Sequence, residues 1–152
     1  MVSTLDSRLL LREAALRVTR PRIAVLSAVH VHPHADTGTI LRAVRQELPG
    51  VSHQTVYDAL AALTSAGLVR RMQPPGSVAR YEARVGDNHH HMVCRSCGVI
   101  VDVDCAVGEA PCLTPSDDHG FSVDEAEVTY WGRCPDCSNQ GNPSDPPATE
   151  GS

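Results

Sequence analysis

The stretch "VSHQTVYDALAALTSAGLVRRMQPPGSVARYEA", residues 51–83, changes its hydrophobic period halfway along. In the first half Val56, Ala59, Leu60 and Leu63 recur at helical spacing. Ser52 stands where an N-cap belongs, and Gly67 stands where the chain must leave the helix. In the second half "LVRRMQ" and "VARYEA" flank Pro74-Pro75-Gly76-Ser77, which reads as strand, turn and strand. A helix that runs into a hairpin ends a winged helix-turn-helix, provided another helix precedes it across a short turn.

Working outward, that helix is present. Asp36 can cap a segment carrying Ile40, Leu41, Val44 and Leu48, which stops before Pro49-Gly50. Earlier still, Thr19 and Pro21 open a helix with Ile23, Val25, Leu26 and Val29 that fades at "HVHPHAD". Leu5, Leu9, Leu10 and Leu16 mark a first helix over residues 4–17. Residues 1–84 are therefore expected to form a winged-helix unit. The inward set on the last helix leaves Ser52, His53, Gln54, Thr55 and Tyr57 at its N-terminal end, the end a recognition helix presents to bases. Gln54 suits adenine, and Tyr57 suits a thymine methyl or a phosphate.

Charge supports the same division. Residues 1–85 hold eleven arginines against six acids, a balance of +5, whereas residues 86–152 hold two arginines against twelve acids, a balance of −10. A basic half fused to an acidic one suggests a nucleic-acid module joined to something that holds cations. No apolar run is long enough to span a membrane, and "MVSTLDSRLLLREAAL" reads as an amphipathic helix, not a signal peptide. A cytoplasmic protein is expected, with neither a membrane nor a small organic substrate as partner. In a reducing compartment six cysteines point to metal or redox chemistry and away from a disulfide framework.

Beyond residue 88 the chain reads as short strands, "HHMVC", "GVIVDV" and "EVTYWGRC". Gly108, Pro111 and Pro115 allow only a short or broken helix in 104–119, and 139–152 reads as a disordered tail. Residues 85–138 are thus expected to be a small second domain. Cys94-x-x-Cys97 and Cys134-x-x-Cys137 form two knuckles that together suit a tetrahedral structural zinc. A redox CxxC would normally occur once and open a helix. Cys105 and Cys112 stand outside the pairs.

Strand alternation puts His89 and His91 on one face and His90 on the other, and folding about the first knuckle brings Asp102 opposite roughly residue 89. Two imidazoles and a carboxylate suit Fe(II), Mn(II) or Zn(II) but lack a further ligand. Glu82 and any one of His30, His32 and His34 are candidates on spacing alone.

Together "RVTRPRIAVLSAV…HPHAD", "VSHQTVYDALAALTSAGLVRR", "RYE", "HHHMVCRSCG", "VIVDVD" and "CPDC" resemble the ferric uptake regulator family of metal-dependent repressors, over residues 8 to 137. Within it the chain resembles the actinobacterial repressors of catalase-peroxidase and the peroxide-sensing branch. The resemblance implies an α+β homodimer, with an N-terminal winged helix-turn-helix followed by a small α+β dimerisation domain. It assigns Cys94, Cys97, Cys134 and Cys137 to structural zinc. It assigns His32, Glu82, His89, His91 and Asp102 to a regulatory Fe(II) or Mn(II) that bridges the domains. Tyr57 matches a base-contacting tyrosine, and Arg17, with Arg20 and Arg22 beside it, matches a basic residue that enters the minor groove. The family's third metal site would use His90, Glu109 and a histidine whose place is taken here by Ala126. Asp58 stands where basic or amide residues are common, and an acid there opposes phosphate.

The expected function is a metal-dependent repressor of operator DNA, controlling catalase, oxidative-stress or iron genes. In the peroxide-sensing branch, iron-bound peroxide chemistry oxidises a ligand histidine and ends repression. The aspartate at 102 favours that branch, while the glutamate at 82 favours plain iron sensing. The alternatives are an iron- or zinc-uptake regulator of the same fold, a passive metal-storage protein, and, in another class, a zinc-dependent hydrolase built on His, His and Asp. The hydrolase would need a general base and a cleft that the sequence does not supply.

Overall fold

The computed structural model describes residues 3–83, 89–105 and 113–139. It divides into two units, Met1–Asp87 and Asn88–Ser152. The expected boundary between residues 84 and 85 lies outside the described residues, as does nearly all of the expected tail, 140–152. No helix among the described residues is long and apolar enough to cross a membrane.

In the first unit, α1 spans Thr4–Glu13, α2 Arg20–Val31, α3 Thr37–Glu47 and α4 His53–Ser65. Each helix begins on a side chain that satisfies an orphan N–H. Ser3 and Asp6 form a reciprocal capping box, Thr19 accepts from the Arg22 N–H, Asp36 from Thr39 and Ser52 from Thr55. At Asp36 this N–H bond and the nearby Arg80 and Arg42 hold the carboxyl below its usual range. Helix α2 packs against α3 and α4. Val25, Leu26, Val29, Ile40, Val56, Leu60 and Leu63 fill the space between them.

Helix α1 ends earlier than its leucines suggest. Ala14 caps it and Ala15 turns left-handed at φ 56°, while Leu16 N–H bonds back to the Leu11 carbonyl at 2.8 Å. Helix α4 ends on the same bond pattern, with Leu68 N–H on the Leu63 carbonyl, but there Gly67 takes the left-handed position at φ 75°. In α1 the core residue is Leu11, fully buried, whereas Leu5 and Leu9 face outward. Because Ala15 carries a Cβ where glycine is favoured, Ala15→Gly is expected to stabilise the unit by roughly 0.5–1 kcal/mol. A rise in the thermal midpoint checks this; a fall would show that the added unfolded-chain entropy dominates.

Strands β2 (Arg70–Met72) and β3 (Arg80–Glu82) are the wing, paired antiparallel with Arg71 opposite Tyr81. A two-residue strand the sequence did not reveal, β1 (Ala35–Asp36), adds to the other edge of β3, with Ala35 opposite Tyr81, giving the order β1-β3-β2.

The second unit is a three-stranded sheet in the order β5-β4-β6. Strand β4 spans His89–Cys94, β5 Ile100–Asp104 and β6 Thr129–Gly132, followed by a short α5, Pro135–Asn139, that was not expected. Strands β4 and β5 are antiparallel, and β6 runs parallel to β4. The described part of the intervening segment, 113–128, holds no helix or strand.

Candidate metal centres and nucleic-acid surface

The two cysteine knuckles close on one point. The ligating sulfurs of Cys94, Cys97, Cys134 and Cys137 all lie within 4.8 Å of one another, and Cys97 Sγ is 3.7 Å from Cys134 Sγ. A tetrahedron with zinc–sulfur bonds of about 2.3 Å has edges of about 3.8 Å. Backbone turns shape each knuckle: Gly98 N–H bonds the Cys94 carbonyl and Ser138 N–H the Cys134 carbonyl. N–H groups of Cys97 and Cys134 hold the Cys94 pKa down to about 5. The Cys134 sulfur, burial and the remaining sulfurs push Cys137 up to about 12. A dication among the four reverses that repulsion, so the donor set fits structural zinc. Cys105 is half-buried and outside this cluster, while Cys112 lies outside the described residues.

On β4 the side chains alternate as expected. His89 Nε2 and His91 Nε2 lie 3.7 and 3.4 Å from the same oxygen of Asp102, and the two rings meet edge to face at 4.9 Å. Asp102 is opposite His91, not residue 89. The reason is the width of the knuckle. Cys94 N–H closes on the Val99 carbonyl, so the hairpin turns between Ser96 and Cys97, one residue later than a fold centred on the middle of the knuckle would. His90 faces the other way, and its Nδ1 accepts the Val128 N–H at 3.3 Å. Of the third site's other members, Ala126 offers no donor and Glu109 lies outside the described residues.

In the first unit the structure brings His34, and not His32, beside Glu82. His34 Nε2 is 3.3 Å from Glu82 Oε2, and Glu82 is almost wholly buried. The pairing of Ala35 with Tyr81 makes His34 and Glu82 the next cross-strand pair. Arg80 Nη1 donates to the His34 carbonyl at 3.1 Å, fixing a backbone held left-handed at φ 61°. His32 instead caps the end of α2 and is exposed, and His30 turns its Nδ1 to the Leu26 carbonyl at 2.9 Å. His34 owes this place to β1, too short to show a period in the sequence.

Along α4, Ser52, His53, Gln54, Tyr57 and Asp58 are exposed. The Ser52 hydroxyl takes the Thr55 N–H and lies 2.8 Å from the Thr55 hydroxyl, so these two cap the helix. His53, Gln54 and Tyr57 remain exposed beside the cap, with the His53 ring edge-on to Tyr57 at 4.5 Å. Arg17 and Arg22 line one groove with Thr55 and Asp58, and Arg22 Nη1 holds the Arg17 carbonyl at 2.9 Å. Arg20 lines a separate groove beside Glu47 and Pro49.

Comparison with known proteins agrees with this architecture. The ferric uptake regulator family profile matches residues 13–131. The transcriptional regulator FurA of Mycobacterium tuberculosis is 77% identical over 128 residues, 84% of this chain and 87% of that protein. The peroxide-responsive repressor PerR of Staphylococcus epidermidis is 31% identical over 140 residues, 87% of this chain and 88% of that protein. The ferric uptake regulator of Pseudomonas aeruginosa, solved with manganese, superposes with a TM-score of 0.66 at 25% identity, covering 85% of this chain and 98% of its own. These relatives are regulators and not enzymes, which sets aside the hydrolase reading of the His–His–Asp group. With its winged helix, its four-cysteine clamp and a profile match over most of its length, the chain belongs to the ferric uptake regulator family.

Proposed function

We propose that the protein is a cytoplasmic, metal-activated repressor that binds operator DNA as a homodimer. In this reading one regulatory Fe(II) or Mn(II) is shared by His34 and Glu82 of the first unit and His89, His91 and Asp102 of the second. The observation that carries it is the His34–Glu82 pair on the wing sheet, because β3 supplies both a ligand candidate and one arm of the wing. Nitrogen and oxygen donors of this kind suit Fe(II) and Mn(II), unlike the four thiolates. When bound, the ion supplies a fixed link between the DNA-reading unit and the second unit. Without it the competent orientation is one among many, and affinity falls by the fraction populated. The homodimer is supported by Met92, Val101 and Tyr130, which stand side by side across β5, β4 and β6 and are each about half exposed in the single chain.

We further propose that the iron-loaded form senses peroxide through oxidation of a ligand histidine. The short carboxylate of Asp102 and the likeness to a peroxide-responsive repressor support this. The test is an electrophoretic shift of duplex DNA from upstream of the protein's own gene, with Mn(II), Fe(II) or Zn(II), followed by peroxide. Binding should require metal, and peroxide should abolish it in the iron sample alone, with one oxygen added at His34 or His91 by mass spectrometry. Peroxide-insensitive binding with iron would leave an iron-uptake regulator, and a response confined to zinc a zinc-uptake regulator. Full metal dependence in a His89→Ala His91→Ala double variant would sink the shared-site reading.

A further inference from the structure

We propose that Asp58 sets the base preference of the recognition helix by fixing which way round the Gln54 amide is held, so that Gln54 accepts adenine and rejects guanine. This rests on the repressor reading above. Gln54 Nε2 donates to Asp58 Oδ1 at 2.8 Å, one helical turn along the exposed face of α4. Asp58 is the only acidic or basic side chain among the thirteen residues of that helix, setting aside His53. It borders the groove lined by Arg17 and Arg22. An exposed pair at this spacing adds little to helix stability, and an acid on a DNA-facing surface opposes phosphate. Its value therefore lies in what it does to its neighbour.

A carboxylate only accepts hydrogen bonds, so the end of the Gln54 amide turned toward Asp58 must be the NH2. The flipped amide would set its oxygen against the carboxylate. One N–H is thereby consumed, leaving Gln54 to present Oε1 beside its remaining N–H. That pattern, one acceptor next to one donor, complements the N6 donor and N7 acceptor of adenine in the major groove. Guanine offers two acceptors there, O6 and N7, and the tethered Oε1 meets one of them unfavourably. An untethered glutamine is free to rotate and offer both N–H groups to guanine.

The experiment uses the full-length, zinc-loaded protein with Mn(II). A pool of randomised duplexes is enriched by wild type. Affinities are then measured by fluorescence anisotropy for the enriched duplex and for versions in which each A·T pair is changed to G·C. Wild type is expected to show one A·T position per half-site where the change costs roughly tenfold or more. Gln54→Ala should erase that preference. Asp58→Ala and Asp58→Asn should shrink it to about threefold or less while binding unrelated duplexes more tightly, since a negative charge is gone. Asp58→Glu, which still only accepts, should keep most of it. All these positions are exposed, and circular dichroism confirms that each variant folds. The wild-type preference retained in Gln54→Ala, or in both Asp58→Ala and Asp58→Asn, overturns the inference and leaves the repressor reading standing. A preference lost in Asp58→Glu as fully as in Asp58→Asn also overturns it. If wild type enriches no sequence at all, the repressor reading fails and this inference with it.

Discussion

Stripping zinc from the four-cysteine clamp, or replacing Cys134 by serine, is expected to unfold the second unit and leave the first folded. Few large apolar side chains are buried in the second unit; among the described residues they are Val93 and Ile100, opposite each other on β4 and β5. A structural zinc contributes about 10–16 kcal/mol of apparent binding free energy at neutral pH, as much as the whole stability of an ordinary domain. The first unit keeps its own core of helices α1 to α4 and does not draw on the clamp. The chain supplies its own reporter, since its single tryptophan, Trp131, lies on β6 with the Arg95 guanidinium over its ring at 5.2 Å. Chelation should move Trp131 emission to longer wavelength while most of the helical circular dichroism persists. Unchanged emission after complete zinc removal would show that the sheet stands without the metal.

His34→Ala is expected to weaken activation of DNA binding by Mn(II) on the order of 100-fold, whereas His32→Ala should leave it within about twofold. Loss of even an outer-shell partner commonly costs 10–100-fold in metal affinity, and His34 is proposed as a direct ligand. The contrast between the two histidines is the measurement that matters. His34 lies beside Glu82, and His32 is exposed at the end of α2. Equal losses in both variants would indicate damage to the loop; a loss confined to His32→Ala would return the ligand role to the residue the resemblance assigns. Titration of Mn(II) against operator affinity, with metal-free affinity as baseline, separates these outcomes.

The parts of the fold that were legible are those with a period or a cap. Asp36, Ser52 and Gly67 mark their helix ends because their chemistry is specific to those positions. The end of α1 was illegible because Ala15 occupies a left-handed position with no residue-type signal. The thiolate cluster was legible because two-residue spacing forces both sulfurs to one side. The placing of His34 beside Glu82 was not, because it depends on the register of β1 against β3, a contact made across more than forty residues of chain. Asp102 pairs two residues further along β4 than expected, since sequence gives the knuckle's position and not its width. The exposure of Tyr57 and Gln54 was legible, yet the bond from Gln54 to Asp58 emerged only from side-chain geometry.

The smallest strand has a mechanical consequence. Asp36 belongs to β1 and is also the cap on which α3 begins, and a single residue, Ala35, separates it from His34. With His34 as the proposed ligand, its connection to the start of the helix-turn-helix is one buried alanine, and its own carbonyl is held by Arg80. A linkage of one residue stores almost no slack. A displacement at the histidine would act directly on Asp36, the cap of α3, with no loop between them.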